Sequence, residues 1–380
     1  MLKNEGHNVI FIGTESGLEK DLIPKAGFDI KYIHASGLNS GLASKIHAVT
    51  DLNKGVTDCL KIIDEEKPDM CLGTGGYVTA PLLMAAVKRG IRSVIHESNA
   101  LPGKTTKLMS NKIDKVLVGF NETKEKLSNG NNIVVTGNPN KMGQNTLTKE
   151  EAKNKIGING KILLVFGGSQ GAKKINDTLL EIIKNQKFNG FNVIYATGPK
   201  NFDEVKDAIS SDCRDLYEIE IGEEEIILYP SSDSSSFTFV SSGSGVSKDI
   251  RTIDIHNHNK IIIKKFIYNM EEVMKASDLV VCRSGALTIS EISEVGIASI
   301  LIPFPYAAEN HQYYNAKTLE NVDAGVVIEE KDLTTDKLVN AINEIMKDDN
   351  KVLTMAENSK RIKQGDSPIE NIKREIFNLL

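Results

Sequence analysis

The sequence predicts an α/β protein built from two doubly wound domains, each a parallel sheet covered by helices on both faces. Three observations predict it. Short, continuously apolar, β-branched runs alternate with helix-length segments along the whole chain. The runs fall into two sets within 380 residues, which suits two domains at roughly 100–200 residues each. Gly-rich turns directly follow several runs, where strand passes to helix.

Taken in order, NVIFIG (8–13), DIKYIH (29–34), DMCLG (69–73), SVIHE (93–97), KVLVG (115–119) and NIVVTG (132–137) read as buried strands. Segments 41–66 and 78–89 between them read as amphipathic helices. Met1–Gly6 reads as the last turn of a helix with Gly6 at its C-cap. The usual opening strand and Gly-rich turn of such a domain are therefore expected to be missing. The polar segment GNPNKMGQNTLTKEE (137–151) is the boundary, giving domains of residues 1–143 and 144–380. The second set comprises KILLVFGG (161–168), FNVIYATG (191–198), KIIIKKF (260–266), DLVVC (278–282), ASILIPF (298–304) and AGVVIE (324–329). Between its second and third runs, about 211–259 is rich in Ser and poor in apolar residues, and reads as a loosely ordered surface insertion. Two such sets imply two Rossmann-like domains facing across a cleft.

Composition narrows the function. With 46 Lys+Arg against 51 Asp+Glu the net charge is −5, which argues against nucleic acid as the main partner. There is no Trp and only 6% aromatic residues, so a stacking platform for single strands is also disfavoured. The charge is uneven: residues 1–146 carry 18 Lys/Arg and 15 Asp/Glu, the remainder 28 and 36. A mildly basic half on an acidic one suits an anionic membrane surface, and chance scatter explains it equally well. Cys59, Cys71, Cys213 and Cys282 form no CxxC pair, so neither a disulfide framework nor a metal site is expected and a reducing cytosol is the default. No signal peptide is visible, and the longest apolar stretches, such as 81–87, are too short to span a bilayer.

Five motifs carry chemistry, and most follow a strand. In GGSQGA (167–172), Gly167, Gly168 and Gly171 allow a tight turn, while Ser169 and Gln170 set donors at a helix start. This is an anion site suited to a diphosphate, or else tight packing alone. GTGGYVTAP (73–81) is a second Gly-rich turn, with Gly75, Gly76 and the hydroxyls of Tyr77 and Thr79. In CRSGALTISE (282–291), Ser284 or Gly285 would cap a helix whose first turns put Thr288 and Glu291 on one face. A carboxylate there suits a ribose diol. HESN (96–99) places His96, Glu97 and Asn99 at a strand's carboxyl end. ENHQ (309–312) places Glu309, Asn310, His311 and Gln312 at a helix start, where polar groups could read sugar hydroxyls.

At GGSQGA, CRSGALTISE and ENHQYYNA, together with HESN, GTGGYVTAP and GNP (137–139), the chain resembles the MurG family over nearly its whole length apart from the insertion. Members of that family transfer N-acetylglucosamine (GlcNAc) from UDP-GlcNAc to undecaprenyl-diphospho-MurNAc-pentapeptide (lipid I). The resemblance implies a GT-B fold and an inverting transfer to the 4-hydroxyl of MurNAc, giving lipid II in peptidoglycan synthesis, with no cofactor and no metal. It implies that the N-terminal domain binds the acceptor, with Gly75, Gly76, Tyr77, Thr79, His96 and Glu97 on that side. UDP-GlcNAc would meet Ser169 and its Gly neighbours at the diphosphate, and Ile267 at the uracil. Ala286, Leu287, Thr288, Ile289, Ser290 and Glu291 would line the nucleotide, with Glu291 on the ribose. Gln312 with His311 would read the sugar hydroxyls, and Asn99 would face the sugar from the other domain.

Three departures from the family pattern are visible. The family opens with a strand and a GGTGGH loop whose His acts as base, whereas this chain starts beyond it, so the expectation is an N-terminally incomplete sequence with its base unidentified. His7 matches a later position. Where the family has Arg after GNP, this chain has Lys141, a point charge without the planar fork. The Ser-rich insertion is the third.

The resemblance also implies a peripheral position on the cytoplasmic side of the cell membrane. Leu42, Ile46, Val49 and Leu52, with Lys45 and Lys54 nearby, suit a membrane patch or a core-facing stripe. The rival expectations are another GT-B UDP-sugar enzyme (a diacylglycerol glycosyltransferase or a UDP-GlcNAc 2-epimerase) and a catalytically dead UDP-GlcNAc-binding subunit.

Overall fold

The computed structural model describes residues 2–36, 42–127, 132–140, 142, 146–188, 190–230, 259–363 and 367–380, with the backbone alone for 42–49. After a 3-10 turn (Leu2–Glu5), the first half runs β1 (Ile10–Gly13), α1 (Glu19–Lys25), β2 (Asp29–Tyr32), α2 (Leu42–Glu66), β3 (Met70–Gly73), α3 (Thr79–Arg89) and β4 (Arg92–Glu97). It continues through α4 (Lys104–Met109), β5 (Lys115–Val118), α5 (Asn121–Glu125) and β6 (Ile133–Val135). The second half runs α6 (Lys149–Ile156), β7 (Ile162–Phe166), α7 (Lys173–Lys184), β8 (Asn192–Ala196), α8 (Phe202–Asp212), β9 (Tyr217–Ile221), β10 (Glu225–Pro230) and β11 (Ile261–Lys264). It closes with α9 (Met270–Ala276), β12 (Leu279–Cys282), α10 (Ala286–Val295), β13 (Ala298–Leu301), α11 (His311–Glu320), β14 (Gly325–Val327), α12 (Thr335–Met346), α13 (Asp349–Lys360) and α14 (Pro368–Phe377).

Every apolar run read as a strand contains one, trimmed by a few residues at its ends. In the second half β7, β8, β12 and β13 are buried at every position. Alternate residues feed opposite layers. Leu163, Val165, Val193, Val281 and Ile300 pack on one face. Ile162, Leu164, Ile194, Val280 and Leu301 pack on the other. At about 1.5–3 kcal/mol per fully buried aliphatic side chain, these strands supply much of the drive for the second half. The eight strands order as β14-β13-β12-β7-β8-β11-β10-β9.

That sheet corrects one expectation. The stretch from about 211 to 230 is no loose insertion: β9 and β10 form a hairpin, and β10 pairs antiparallel with both β9 and β11. Ile226 and Leu228 are fully buried from β10, and the buried Tyr217 donates its hydroxyl to the Ile183 carbonyl. A hairpin with one solvated face alternates apolar with charged residues, as in Glu218-Ile219-Glu220-Ile221, so its apolar content is low by construction. The sheet is consequently mixed rather than wholly parallel. The Ser-rich run itself falls in 231–258, outside the described residues.

The first half holds a parallel pair, β1-β2, and a parallel four-stranded sheet, β3-β4-β5-β6. Ile12 of the pair and Ile33 just beyond β2 share one core with Cys71, Ile95 and Val116 of the larger sheet. On α2 the buried stripe is Val56, Cys59 and Ile63, and the half-buried Leu52 continues it at helical spacing. The side chains of Leu42, Lys45, Ile46 and Val49 lie outside the described residues.

The expected 143/144 boundary also falls outside the described residues. Beyond it the chain does not stay with the second half. Helix α14 returns to the first: Glu375 pairs with Lys115, Lys373 bonds Glu5 at 2.5 Å, and Phe377 stacks at 5.2 Å on His7.

Candidate active site

The halves meet where strands end and helices begin. The turn Gly167–Ala172 links β7 to α7. A Cβ on Gly167 would lie 2.4 Å from the Ala172 amide nitrogen, and one on Gly171 (φ +76°) would lie 2.0 Å from the Thr197 carbonyl oxygen. Both glycines are therefore demanded by packing within the turn. Gly168 differs: its φ is +89° and a Cβ there meets nothing within 4 Å. Gly168, Ser169 and Gln170 face outward at this point. The packing alternative thus explains two glycines and leaves the third facing open space.

The five helices α7 to α11, which follow strands of this sheet, lack a side-chain cap. The N-cap residues of α7, α10 and α11 are Ala172, Gly285 and Asn310, and none closes its helix with a side-chain bond. By contrast α6, α12, α13 and α14 are capped by Thr148, Thr334, Asp348 and Ser367. Uncapped amides carry partial positive charge and suit an anion. Of the two expected caps, Gly285 stands at the N-cap of α10, while the Ser284 hydroxyl donates 2.8 Å to the Gln312 carbonyl, tying α10 to α11.

On α10, Leu287 is exposed, Ala286 and Thr288 are half-buried, and Ile289 is wholly in the core. Ser290 turns toward the first half: its hydroxyl donates to the Ala286 carbonyl and accepts from Asn138 Nδ2 at 3.0 Å. Glu291 is half-buried, and burial pushes its carboxyl above the usual carboxylate range. No hydrogen bond or ion pair satisfies it among the described residues. An unpaired carboxylate removed from water is costly, which makes Glu291 a candidate ligand-facing position. Ile267 is buried, with 3% of its surface exposed. Gln312 accepts at Oε1 from the Phe304 amide at 2.9 Å, leaving its amide N–H groups to donate. Lys141 lies outside the described residues.

Across the cleft, β4 delivers His96, Glu97 and Asn99. His96 is buried and donates from Nε2 to the Gly137 carbonyl at 3.0 Å; burial lowers its pKa, so the ring is neutral. Glu97 is the hub of the loop that follows. Its Oε1 accepts from the Asn99 backbone and side chain, and its Oε2 from the Gly103 amide and, at 2.6 Å, the Thr106 hydroxyl. Gly75 and Gly76 stand at positive φ with open space beside them. Tyr77 is exposed, whereas the Thr79 hydroxyl is committed to the Gly75 carbonyl at 2.5 Å.

Sequence reasoning missed two residues that join the halves. Asn315, fully buried, accepts at Oδ1 from the Ala100 amide and donates from Nδ2 to Asn99 Oδ1 and the Ser284 carbonyl. Its signal was present: three residues beyond Gln312, it shares that residue's helix face. Asn138, in the GNP motif, donates to both Ser98 and Ser290. Its Oδ1 is buried without a partner beside a small cavity lined by Phe120, Ser293 and Glu294. Among the described residues no group of three or more His, Cys, Asp or Glu side chains could hold a metal ion.

Comparison with known proteins gives the family and the fold. Residues 1–118 match the glycosyltransferase family 28 N-terminal domain, and residues 162–222 and 228–370 match the C-terminal domain of that family. The chain is 38% identical over 358 residues to the UDP-N-acetylglucosamine--N-acetylmuramyl-(pentapeptide) pyrophosphoryl-undecaprenol N-acetylglucosamine transferase of Acetivibrio thermocellus, covering 93% of this chain and 85% of that one. It is 36% identical to the enzyme of the same name from Thermoanaerobacter sp. (strain X514), covering 97% and 90%. Its fold matches the crystal structure of Acinetobacter baumannii MurG with a TM-score of 0.71 at 22% identity, over 99% of this chain and 92% of that one. The two facing α/β units are thus a GT-B fold, and the chain belongs to the MurG family of N-acetylglucosamine transferases within glycosyltransferase family 28.

Proposed function

We propose that the protein transfers GlcNAc from UDP-GlcNAc to the 4-hydroxyl of MurNAc in undecaprenyl-diphospho-MurNAc-pentapeptide, with inversion, giving lipid II. The observation that carries this reading is Glu291: a half-buried carboxylate with no described partner, on a helix whose start is uncapped. A ribose diol supplies the two donors that such a group lacks. The outward turn at Gly168–Gln170 takes the diphosphate, and the start of α7 offsets charge on the departing UDP. Ile267 meets the uracil, Ala286, Leu287 and Thr288 line the nucleotide, and Lys141 reaches the donor phosphate. The Gln312 amide donates to the sugar hydroxyls. Asn99 is held at both ends of its side chain by Glu97 and Asn315, so it positions the loop beside the sugar. Gly75, Gly76 and Tyr77 form the acceptor side, while His96 and Glu97 hold the backbone that shapes it.

The polyprenyl acceptor places the reaction at the periphery of the cell membrane, on the cytoplasmic side. No described helix is long and apolar enough to cross a membrane.

The test is product analysis with UDP-GlcNAc and lipid I in vesicles. The expected result is a disaccharide-linked polyprenyl diphosphate and free UDP, with turnover rising with anionic lipid content. An epimerase would convert UDP-GlcNAc without any lipid acceptor. UDP binding without turnover would identify a dead subunit.

A further inference from the structure

We infer that Lys104 and Lys107 of α4 form the subsite for the acceptor's diphosphate, with Glu309 of the opposite half as their placeholder. This rests on the function proposed above and specifies which residues hold the anionic link of the lipid.

Several observations converge there. Lys104 Nζ lies 3.6 Å from Glu309 Oε1, and Lys107 Nζ lies 3.9 Å from Glu309 Oε2. Both pairs cross between the halves, and both are long for a charge-assisted bond, which closes to about 2.7–2.9 Å when firm. The lysines are 71% and 47% exposed, so they remain open to a second anion, while Glu309 is 24% exposed.

The carboxylate is held there at a conformational cost. Glu309 and Asn310 stand at φ +50° and +58°, a region that residues with side chains avoid. His311 Nε2 is buried without a hydrogen-bond partner, 3.7 Å from Glu309 Oε2. Beside Lys104, Thr105 donates to the Gly76 carbonyl at 3.0 Å. Thr105, between the two lysines on α4, thereby ties this helix to the Gly75–Gly76 turn, where both glycines have positive φ and open space. Two cations, a Gly turn and a displaceable carboxylate match one ligand class, a sugar diphosphate entering from the first half.

The experiment measures steady-state KM for a short-chain polyprenyl-diphospho-MurNAc-pentapeptide and for UDP-GlcNAc in the full chain. It compares the parent with Lys104→Ala/Lys107→Ala, Lys104→Arg/Lys107→Arg and Glu309→Gln. Losing two charge-assisted contacts should raise the acceptor KM about tenfold or more, with the UDP-GlcNAc KM unchanged. The Arg pair should restore the parental value, and Glu309→Gln should leave the acceptor KM unchanged or lower it. An unchanged acceptor KM in the Ala pair overturns the inference. So does an equal rise in both KM values, or a rise in Glu309→Gln matching that of the Ala pair, because either outcome makes the ion pairs a clasp between the halves. Should the parent show no transfer, the functional reading fails on that result alone. Calorimetry with the same acceptor then decides the subsite: weaker binding in the Ala pair upholds it, and equal or absent binding overturns it.

Discussion

At the scale of single residues, the half-buried Glu291 and the buried His96 make opposite demands. Burial holds Glu291 above the usual carboxylate range. Between its unfolded and folded pKa values the folded chain binds the extra proton, so stability falls as pH rises through that window. Glu291→Gln should remove this slope and leave the protein at least as stable at neutral pH, as thermal melts would show. The same change should raise the KM for UDP-GlcNAc about tenfold, the usual consequence of losing a charge-assisted bond. A Glu291→Gln protein that melts earlier and binds the nucleotide normally would make this residue structural. His96 behaves oppositely. Burial lowers its pKa, so below an unfolded value of about 6.5 the unfolded chain takes up the proton first. Stability should then fall as pH drops from 6.5, with no contribution from His96 above it. Urea midpoints at successive pH values check this, and His96→Gln should flatten the acid side.

At the scale of elements, the glycines of the β7–α7 turn separate packing from binding. Gly171→Ala puts a methyl 2.0 Å from the Thr197 carbonyl oxygen at a positive φ. It should destabilise the protein by about 2 kcal/mol or more. Gly168→Ala meets open space and should cost about 1 kcal/mol from its backbone conformation alone. Urea titration of both variants tests the contrast, and equal losses would contradict it. This scale also shows what the sequence could reveal. Strands such as Ile162–Phe166 were legible because burial on both faces demands an unbroken apolar run. The β9–β10 hairpin was not, because its solvated face interleaves Glu with Ile and dilutes the apolar signal. The return of α14 was equally hidden, since an amphipathic helix states that it has an apolar face but not which half receives it.

At the scale of the whole molecule, Ala100 and Phe120 of the first half pack into a core of the second, and polar contacts join the halves around them. Asn315 reaches Ala100 and Asn99, Asn138 reaches Ser290, and Glu309 faces Lys104 and Lys107. Individual motifs announced that each half carries a site at its strand ends. Their polar joints were less legible, because an Asn that crosses an interface looks in sequence like any helix-surface Asn. These contacts bring the start of α11, proposed to read the sugar, to the loop organised by Glu97 on the proposed acceptor side. The diphosphate cradle proposed at the start of α7 anchors that reading. Calorimetric titration of UDP into the parent and Gly168→Asp chains tests it most directly. A carboxylate set in the open space beside Gly168 should repel the diphosphate and weaken UDP binding by about 100-fold or more, with the fold retained by circular dichroism. Equal affinity in the two chains would contradict the assignment of the site.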